Sequence, residues 1–158
     1  RAEGYGPVAP SEIHSEIRAH VSTTPTPPIA VVSRSLNVPE KLVAPGQLLI
    51  TARSSDSEKR AELAQTMDVI IAGQTAIDWP NALAQLAERG LTRVLCEGGP
   101  HLHGDLIAAD LVDELCLSVG TVLLGGDSVR IAQGTACAPR PMRLADAVTG
   151  ENLVATRW

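Results

Sequence analysis

A chain of 158 residues is one domain's worth of sequence, long enough to bury a sizeable core. Its net charge of −5, with no basic run, argues against nucleic acid or an anionic membrane surface as partner. No apolar stretch approaches the roughly 20 residues of a membrane span, and nothing resembles a signal peptide.

With no Phe, one Tyr and two Trp, the core must be built of Leu, Val, Ile and Ala. Of the three cysteines, Cys96 and Cys116 fall inside apolar strand patterns and read as reduced, buried packing residues of a cytoplasmic protein. Cys137 lies in a Pro-rich loop, where exposure is expected, and no His or acid at useful spacing makes it a nucleophile.

In chain order, Ser11 to His20 places Ile13, Ile17 and His20 on one face, a short helix with Ser11 as N-cap. Val21 to Pro28 carries three prolines and reads as a linker. The continuous apolar run Ile29 to Val32 is of the kind a parallel strand buried on both faces requires, and it stops at Ser33-Arg34-Ser35. A second such run, Leu48 to Ile50, stops at Thr51-Ala52-Arg53-Ser54-Ser55. Ser55 and Glu58 have capping-box spacing ahead of a helix from Glu58 to Thr66.

Val69 to Ala72 is a third strand, ended by Gly73. The helix Pro80 to Arg89 follows, with Leu83, Leu86 and Ala87 inward and Gly90 where a terminating glycine belongs. Strand Val94 to Cys96 leads into Glu97-Gly98-Gly99, and Pro100 opens an amphipathic helix. From Glu114 the character changes: a long strand Leu115 to Leu124, a Gly-Gly-Asp turn, then Val129 to Ala132. After the bend Ala138 to Pro141, the segments Arg143 to Val148 and Leu153 to Trp158 flank Thr149-Gly150-Glu151-Asn152, a hairpin signal. Alternating strands and helices imply right-handed crossovers and an α/β architecture.

The strand, tight turn and helix start around Gly98 and Gly99 form a possible anion site. Paired glycines remove the Cβ atoms that would keep an anion from the backbone, and Pro100 gives up only a donor that the helix leaves unpaired. The free N–H groups and partial positive charge of the helix start favour a phosphate. Taken alone, Gly-Gly-Pro in this setting is more often plain turn chemistry.

The block from Glu97 to Gly126, with Glu97-Gly98-Gly99-Pro100, Gly104 in the first turns of the helix, Leu111-Val112-Asp113-Glu114, and a long strand ending in Gly125-Gly126, resembles one family closely. It is similar to the reductase domain of riboflavin biosynthesis, the 5-amino-6-(5-phosphoribosylamino)uracil reductases, which share the dihydrofolate-reductase-like fold. The resemblance implies a three-layer α/β sandwich whose mostly parallel central sheet carries an antiparallel C-terminal edge. It implies a single reductase domain over residues 1–158, and Arg1 to Pro7 resembles the loop after the family's Gly-x-Gly-Thr turn. The N-terminal strand and helices that precede that loop in the family are therefore expected to be missing from the sequence.

In open α/β sheets, ligands collect at the carboxyl ends of strands. An arginine among hydroxyls, as at Ser33-Arg34-Ser35, suits a phosphate monoester such as the 2′-phosphate of NADP; the bland alternative for Arg34 and Arg53 is a solvated loop charge. The resemblance implies NADPH as cofactor, held by Ser33, Arg34, Thr51, Gly98, Gly99, Pro100 and Leu102. It implies a phosphorylated ribosylaminopyrimidine as substrate, contacted by Glu3, Tyr5 and Glu97. Glu97 either hydrogen-bonds substrate or acts as general acid, or it braces the glycine turn.

No metal site is expected. His101 and His103 point to different sides of a helix, and no third ligand lies at zinc-like spacing; one should meet phosphate or solvent and the other should pack. Asp113 and Glu114 read as a structural charge pair at a strand start. Long apolar strands at a sheet edge suggest a homodimer, as the resemblance also implies. The other readings are a dihydrofolate or pterin reductase on the same fold, and a non-catalytic NADP-binding relative.

Overall fold

In the computed structural model, which describes residues 11–21, 26–123, 125–128 and 130–158, the chain forms two compact units, one ending at Arg93 and one running from Val94 to Trp158. Glu3 and Tyr5 lie outside the described residues. In the first unit, helix α1 (Glu12–Val21) is followed by strands β1 (Ala30–Val32) and β2 (Leu48–Thr51), helix α2 (Ser57–Leu63), strand β3 (Asp68–Ile71) and helix α3 (Trp79–Glu88). The three strands make a parallel sheet with β2 in the middle, Leu49 lying beside Val31 and Val69.

The apolar run of β2 is buried at every position, and its period of two divides the core between two faces. Leu48 and Ile50 pack with Ile70, Ala72, Ala82 and Leu86, so α3 covers one face. Leu49 packs with Leu36 and Met67, with Leu63 of α2 against them on the other face. The three strands expected here are therefore present, and so are the helices that follow the second and third.

Local chemistry explains the helix ends. Asp78 caps α3 by accepting from the Asn81 N–H at 3.0 Å, and Gly90, at φ +79°, takes the left-handed conformation that ends it. Gly73 is irreplaceable for a different reason: a Cβ there would lie 2.1 Å from the Ala76 carbonyl oxygen. The capping box expected from Ser55 and Glu58 is not formed. Asp56 caps α2, accepting from the N–H groups of Glu58 and Lys59 at 3.0 and 2.9 Å, because a carboxylate one residue nearer the helix reaches both donors. Ser55 instead accepts from the Arg60 guanidinium at 2.9 Å. Ile17 of α1, expected inward, is exposed.

The second unit contains α4 (Pro100–Ala108), β4 (Cys116–Gly120), β5 (Asp146–Thr149) and β6 (Leu153–Arg157). The expected hairpin is there: β5 and β6 are antiparallel, closed by the Gly150 N–H on the Leu153 carbonyl at 2.8 Å. β6 also pairs with β4, giving the order β4-β6-β5. At its far end Glu114 and Asp146 both bind the Arg157 guanidinium, which raises the arginine's pKa, through the Asp146 hydrogen bond first and Glu114 second. Glu114 thus has the structural job assigned to it.

The antiparallel strands β4, β6 and β5 make a three-stranded sheet within this unit. Several expectations fail here. Val94 to Cys96 is not a strand, and Val94 and Leu95 are exposed; the segment finds no ladder within its own unit. The strand expected from Leu115 to Leu124 stops at Gly120, because its partner β6 begins at Leu153, opposite Gly120. Residues 130–132 form no strand, and Cys116 is exposed rather than buried.

Candidate functional site

At the end of β1, Ser33 is half-buried while Arg34 and Ser35 are exposed. The Ser33 N–H is held by the Ile50 carbonyl at 3.0 Å, and the two serine hydroxyls lie 3.5 Å apart. Leu36 then takes a left-handed conformation, φ +58°, which a branched side chain adopts only at a cost of about 1–3 kcal/mol. That turn drives Leu36 into the core beside Leu49 and Met67, offsetting the strain and fixing where Ser33 to Ser35 leave the sheet. The result is one arginine and two hydroxyls on an anchored strand end.

Immediately after this run lies a groove of about 450 Å³ lined by Leu36, Asn37, Val38, Pro39, Lys59, Glu62 and Leu63. Lys59 crosses to Asn37, donating to its side-chain oxygen at 3.0 Å. Reasoning from sequence did not single out these residues; the groove arises from the Leu36 turn and the face of α2, which no local pattern announces.

Thr51 ends β2 wholly buried, and its hydroxyl has no hydrogen-bond partner among the described residues. An orphaned hydroxyl there carries a desolvation cost of about 1–3 kcal/mol. Arg53 and Ser54 beyond it are exposed, their N–H groups bound to the carbonyls of Gly73 and Gln74 at 3.0 and 2.8 Å.

In the second unit, Gly99 is the N-cap of α4 and provides no side-chain cap. The helix has Pro100 in its first turn and no acidic residue there. The amides of His101 and Leu102 therefore stand at a helix start that takes no side-chain cap from Gly99. The space a Cβ would occupy at Gly99 is open, whereas at Gly98 a Cβ would lie 2.3 Å from Leu102 Cδ2. The two glycines thus do different work: Gly98 admits the Leu102 side chain, and Gly99 leaves the approach to the amides clear. This open, uncapped start has the donor set a pyrophosphate requires.

Glu97 is exposed. The dry strand end expected to hold it is absent, since Val94 and Leu95 before it are exposed. His101 is exposed and His103 half-buried, as expected of a pair pointing different ways. The His103 ring meets two backbone carbonyls, Ile131 O at 3.1 Å from Nδ1 and Cys96 O at 3.3 Å from Nε2. Spacing alone had not identified those partners, one of which lies 28 residues away. Among the described residues, no group of three or more His, Cys, Asp or Glu is arranged to hold a metal ion, and no helix is long and apolar enough to cross a membrane.

Comparison with solved structures gives the class of fold. A pyrimidine reductase-like protein from Corynebacterium diphtheriae aligns over 99% of this chain and 70% of its own with a TM-score of 0.80, at 21% identity. The riboflavin biosynthesis reductase of Saccharomyces cerevisiae aligns over 84% of this chain and 63% of its own, TM-score 0.61, at 16% identity. The match to the RibD C-terminal domain over residues 5–154 is decisive, and the chain belongs to that family.

Among curated relatives, the riboflavin biosynthesis protein RibD of Escherichia coli is 32% identical over 76% of this chain and 32% of its own length. The 2,5-diamino-6-ribosylamino-4(3H)-pyrimidinone 5′-phosphate reductases of Archaeoglobus fulgidus and Methanothermobacter thermautotrophicus are 31% and 30% identical, over 55% and 50% of this chain. The chain covers 40% and 37% of their lengths.

Proposed function

We propose that this chain is the reductase domain of an NADPH-dependent pyrimidine reductase of the riboflavin type, acting on the ribosyl chain of a phosphoribosylaminopyrimidine. The observation that carries the reading is the Glu97-Gly98-Gly99 turn opening on the uncapped amides of α4, in a chain of the RibD C-terminal domain family. The names of the relatives favour a ribosylaminopyrimidine over a pterin as substrate. The structural neighbours favour a dihydrofolate-reductase-like sandwich, and the family match across residues 5–154 favours both units forming one reductase domain.

Bound NADPH would supply a hydride. The protein's task is to bind and orient. Arg34, with Ser33 beside it, is proposed to take the 2′-phosphate through charged hydrogen bonds. Gly98, Gly99, Pro100 and Leu102 form the turn proposed to receive the pyrophosphate, the donors being the amides of His101 and Leu102. Thr51, buried with its hydroxyl unpaired, fits a supporting role at the strand end better than direct contact, since no ligand reaches a wholly covered side chain without a shift.

Glu97 is proposed either to hydrogen-bond the substrate and pass a proton or to brace the turn, and Glu3 and Tyr5 remain proposed substrate contacts. The direct test is to incubate the protein with NADPH and the phosphoribosylaminopyrimidine and follow NADPH oxidation together with product mass. A ribityl product, gained by one hydride and one proton, supports the reading; no turnover by a nucleotide-binding protein favours the non-catalytic relative. The exposed Val119 and Val154, paired across β4 and β6 on one face of the sheet, support a homodimer, which a monomeric mass in light scattering at micromolar concentration would exclude.

A further inference from the structure

The start of α4 is held by its surroundings in a way that its own sequence does not explain. Gly99 provides no side-chain cap, so the angle at which the chain enters the helix is not set in the usual manner. A second element sets it. The Gln133 N–H donates to the Pro100 carbonyl at 2.8 Å, and a Cβ on Gly104 would lie 2.0 Å from the Gln133 carbonyl oxygen. The 131–133 segment is therefore pressed onto the first turns of α4 at a distance only glycine permits.

His103 completes this junction. Its Nδ1 faces the Ile131 carbonyl at 3.1 Å and its Nε2 faces the Cys96 carbonyl at 3.3 Å. One ring thus bridges the space between three pieces: the helix that carries it, the segment packed on that helix, and the peptide that leads into Glu97-Gly98-Gly99. A neutral ring donates to one of these carbonyls, and an imidazolium donates to both.

We propose that His103 is a positioning residue for the nucleotide, fixing the Glu97–Gly99 turn against α4 so that the His101 and Leu102 amides keep their aim. The inference rests on the reading of that turn as the pyrophosphate site. Fastening matters because a turn built from two adjacent glycines has the largest conformational freedom to lose on binding. A strut to the carbonyl just before it removes part of that cost in advance. His103 touches neither reacting atoms nor substrate in this account; it acts through the turn.

The test uses two variants of the whole chain and two readouts. His103→Leu keeps bulk and removes both ring contacts, whereas His103→Gln restores N–H donors. The first readout is the amide NMR signals of Gly98, Gly99 and Gln133, which report the junction without nucleotide. The second is NADPH affinity by calorimetry. In His103→Leu, the three amides are expected to shift together and affinity to fall about fivefold to tenfold, the scale of one lost hydrogen bond. His103→Gln is expected to return both toward wild type.

If His103→Leu does not fold, His103→Asn takes its place, because its shorter amide cannot span both carbonyls. Unchanged glycine amides and unchanged affinity in the variant that lacks the contacts would overturn the proposal. So would a loss of affinity that His103→Gln does not recover at all. A wild-type protein that binds no NADPH would sink the functional reading and the positioning role together, while the amide shifts would still show whether the junction exists.

Discussion

The two units of this chain use the same kind of apolar β residue to opposite ends. In the first, β2 is flanked on both sides by parallel strands and covered on both faces, by α3 over Leu48 and Ile50 and by Leu63 of α2 on the side of Leu49. In the second, β6 pairs antiparallel with β5 through a hairpin and with β4 from far earlier in the chain, and Val119, Val148, Leu153 and Val154 remain exposed. Among the described residues, every buried apolar side chain of the core lies between Leu36 and Leu86. Parallel pairing demands a crossover, and a crossover brings its own helix to cover the sheet; a hairpin satisfies the backbone without covering anything. The first unit is thus held by packing. The second is held by ladder bonds, the Arg157 charge cluster and the tight seat of α4.

This contrast sets the order of expected mutational effects. Leu49→Ala, in the fully buried layer, should cost about 2–5 kcal/mol in urea unfolding, and Val148→Thr on the open sheet should fall within about 0.5 kcal/mol. Comparable costs for the two would show that the β4-β6-β5 face is covered in solution, and the contrast would dissolve. Gly104→Ala is the exception predicted inside the second unit. Its Cβ would collide with the Gln133 backbone, and a loss of about 1–3 kcal/mol is expected, together with weaker NADPH binding. A neutral outcome would mean that the 131–133 segment does not press on α4.

Asp56→Ala removes a cap that serves two amides and should cost about 1 kcal/mol; Ser55→Ala, by contrast, should cost less because Ser55 caps nothing. A small, pH-dependent effect concerns Asp68, whose carboxyl is held below the usual carboxylate range by its hydrogen bond to Arg89, working against partial burial and with the arginine's charge. The lowered value means that the pair stabilises the fold at pH above the unfolded Asp range and that this stabilisation is lost as pH falls through the folded value. Both side chains are substantially exposed, so the contribution should stay below about 1 kcal/mol. Acid titration of wild type against Asp68→Asn would show it, and identical pH curves would refute it.

The difference between the units also explains what could be read in advance. Residues 29–32, 48–50 and 69–72 announced themselves as consecutive apolar runs, although β2 alone of the three strands is buried at every position and β1 and β3 are buried in part, and the helices after the second and third carried turn residues such as Gly90. The α2 cap was misassigned by one residue because Ser55 and Asp56 are both cap formers and only the backbone geometry decides between them. Val94 to Cys96 has the same composition as the true strands but no partner within its unit, and pairing is a tertiary property.

At the site, the uncapped turn at Gly98 and Gly99 was legible from two glycines and a proline. The groove beside Leu36 and the Ile131 carbonyl against His103 were not, since each depends on residues brought together from far along the chain. Gly104 did carry a signal, a glycine inside a helix, whose meaning emerged only with Gln133 against it.

The central claim is that this chain binds NADPH through the strand end of β1. The deciding measurement is a calorimetric titration of the protein with NADPH and with NADH, repeated on Arg34→Ala. NADPH binding is expected to weaken by about tenfold or more in the variant, roughly 1.4 kcal/mol, with NADH the weaker ligand for wild type. Absence of binding by either nucleotide, or NADPH affinity indifferent to Arg34, would contradict it.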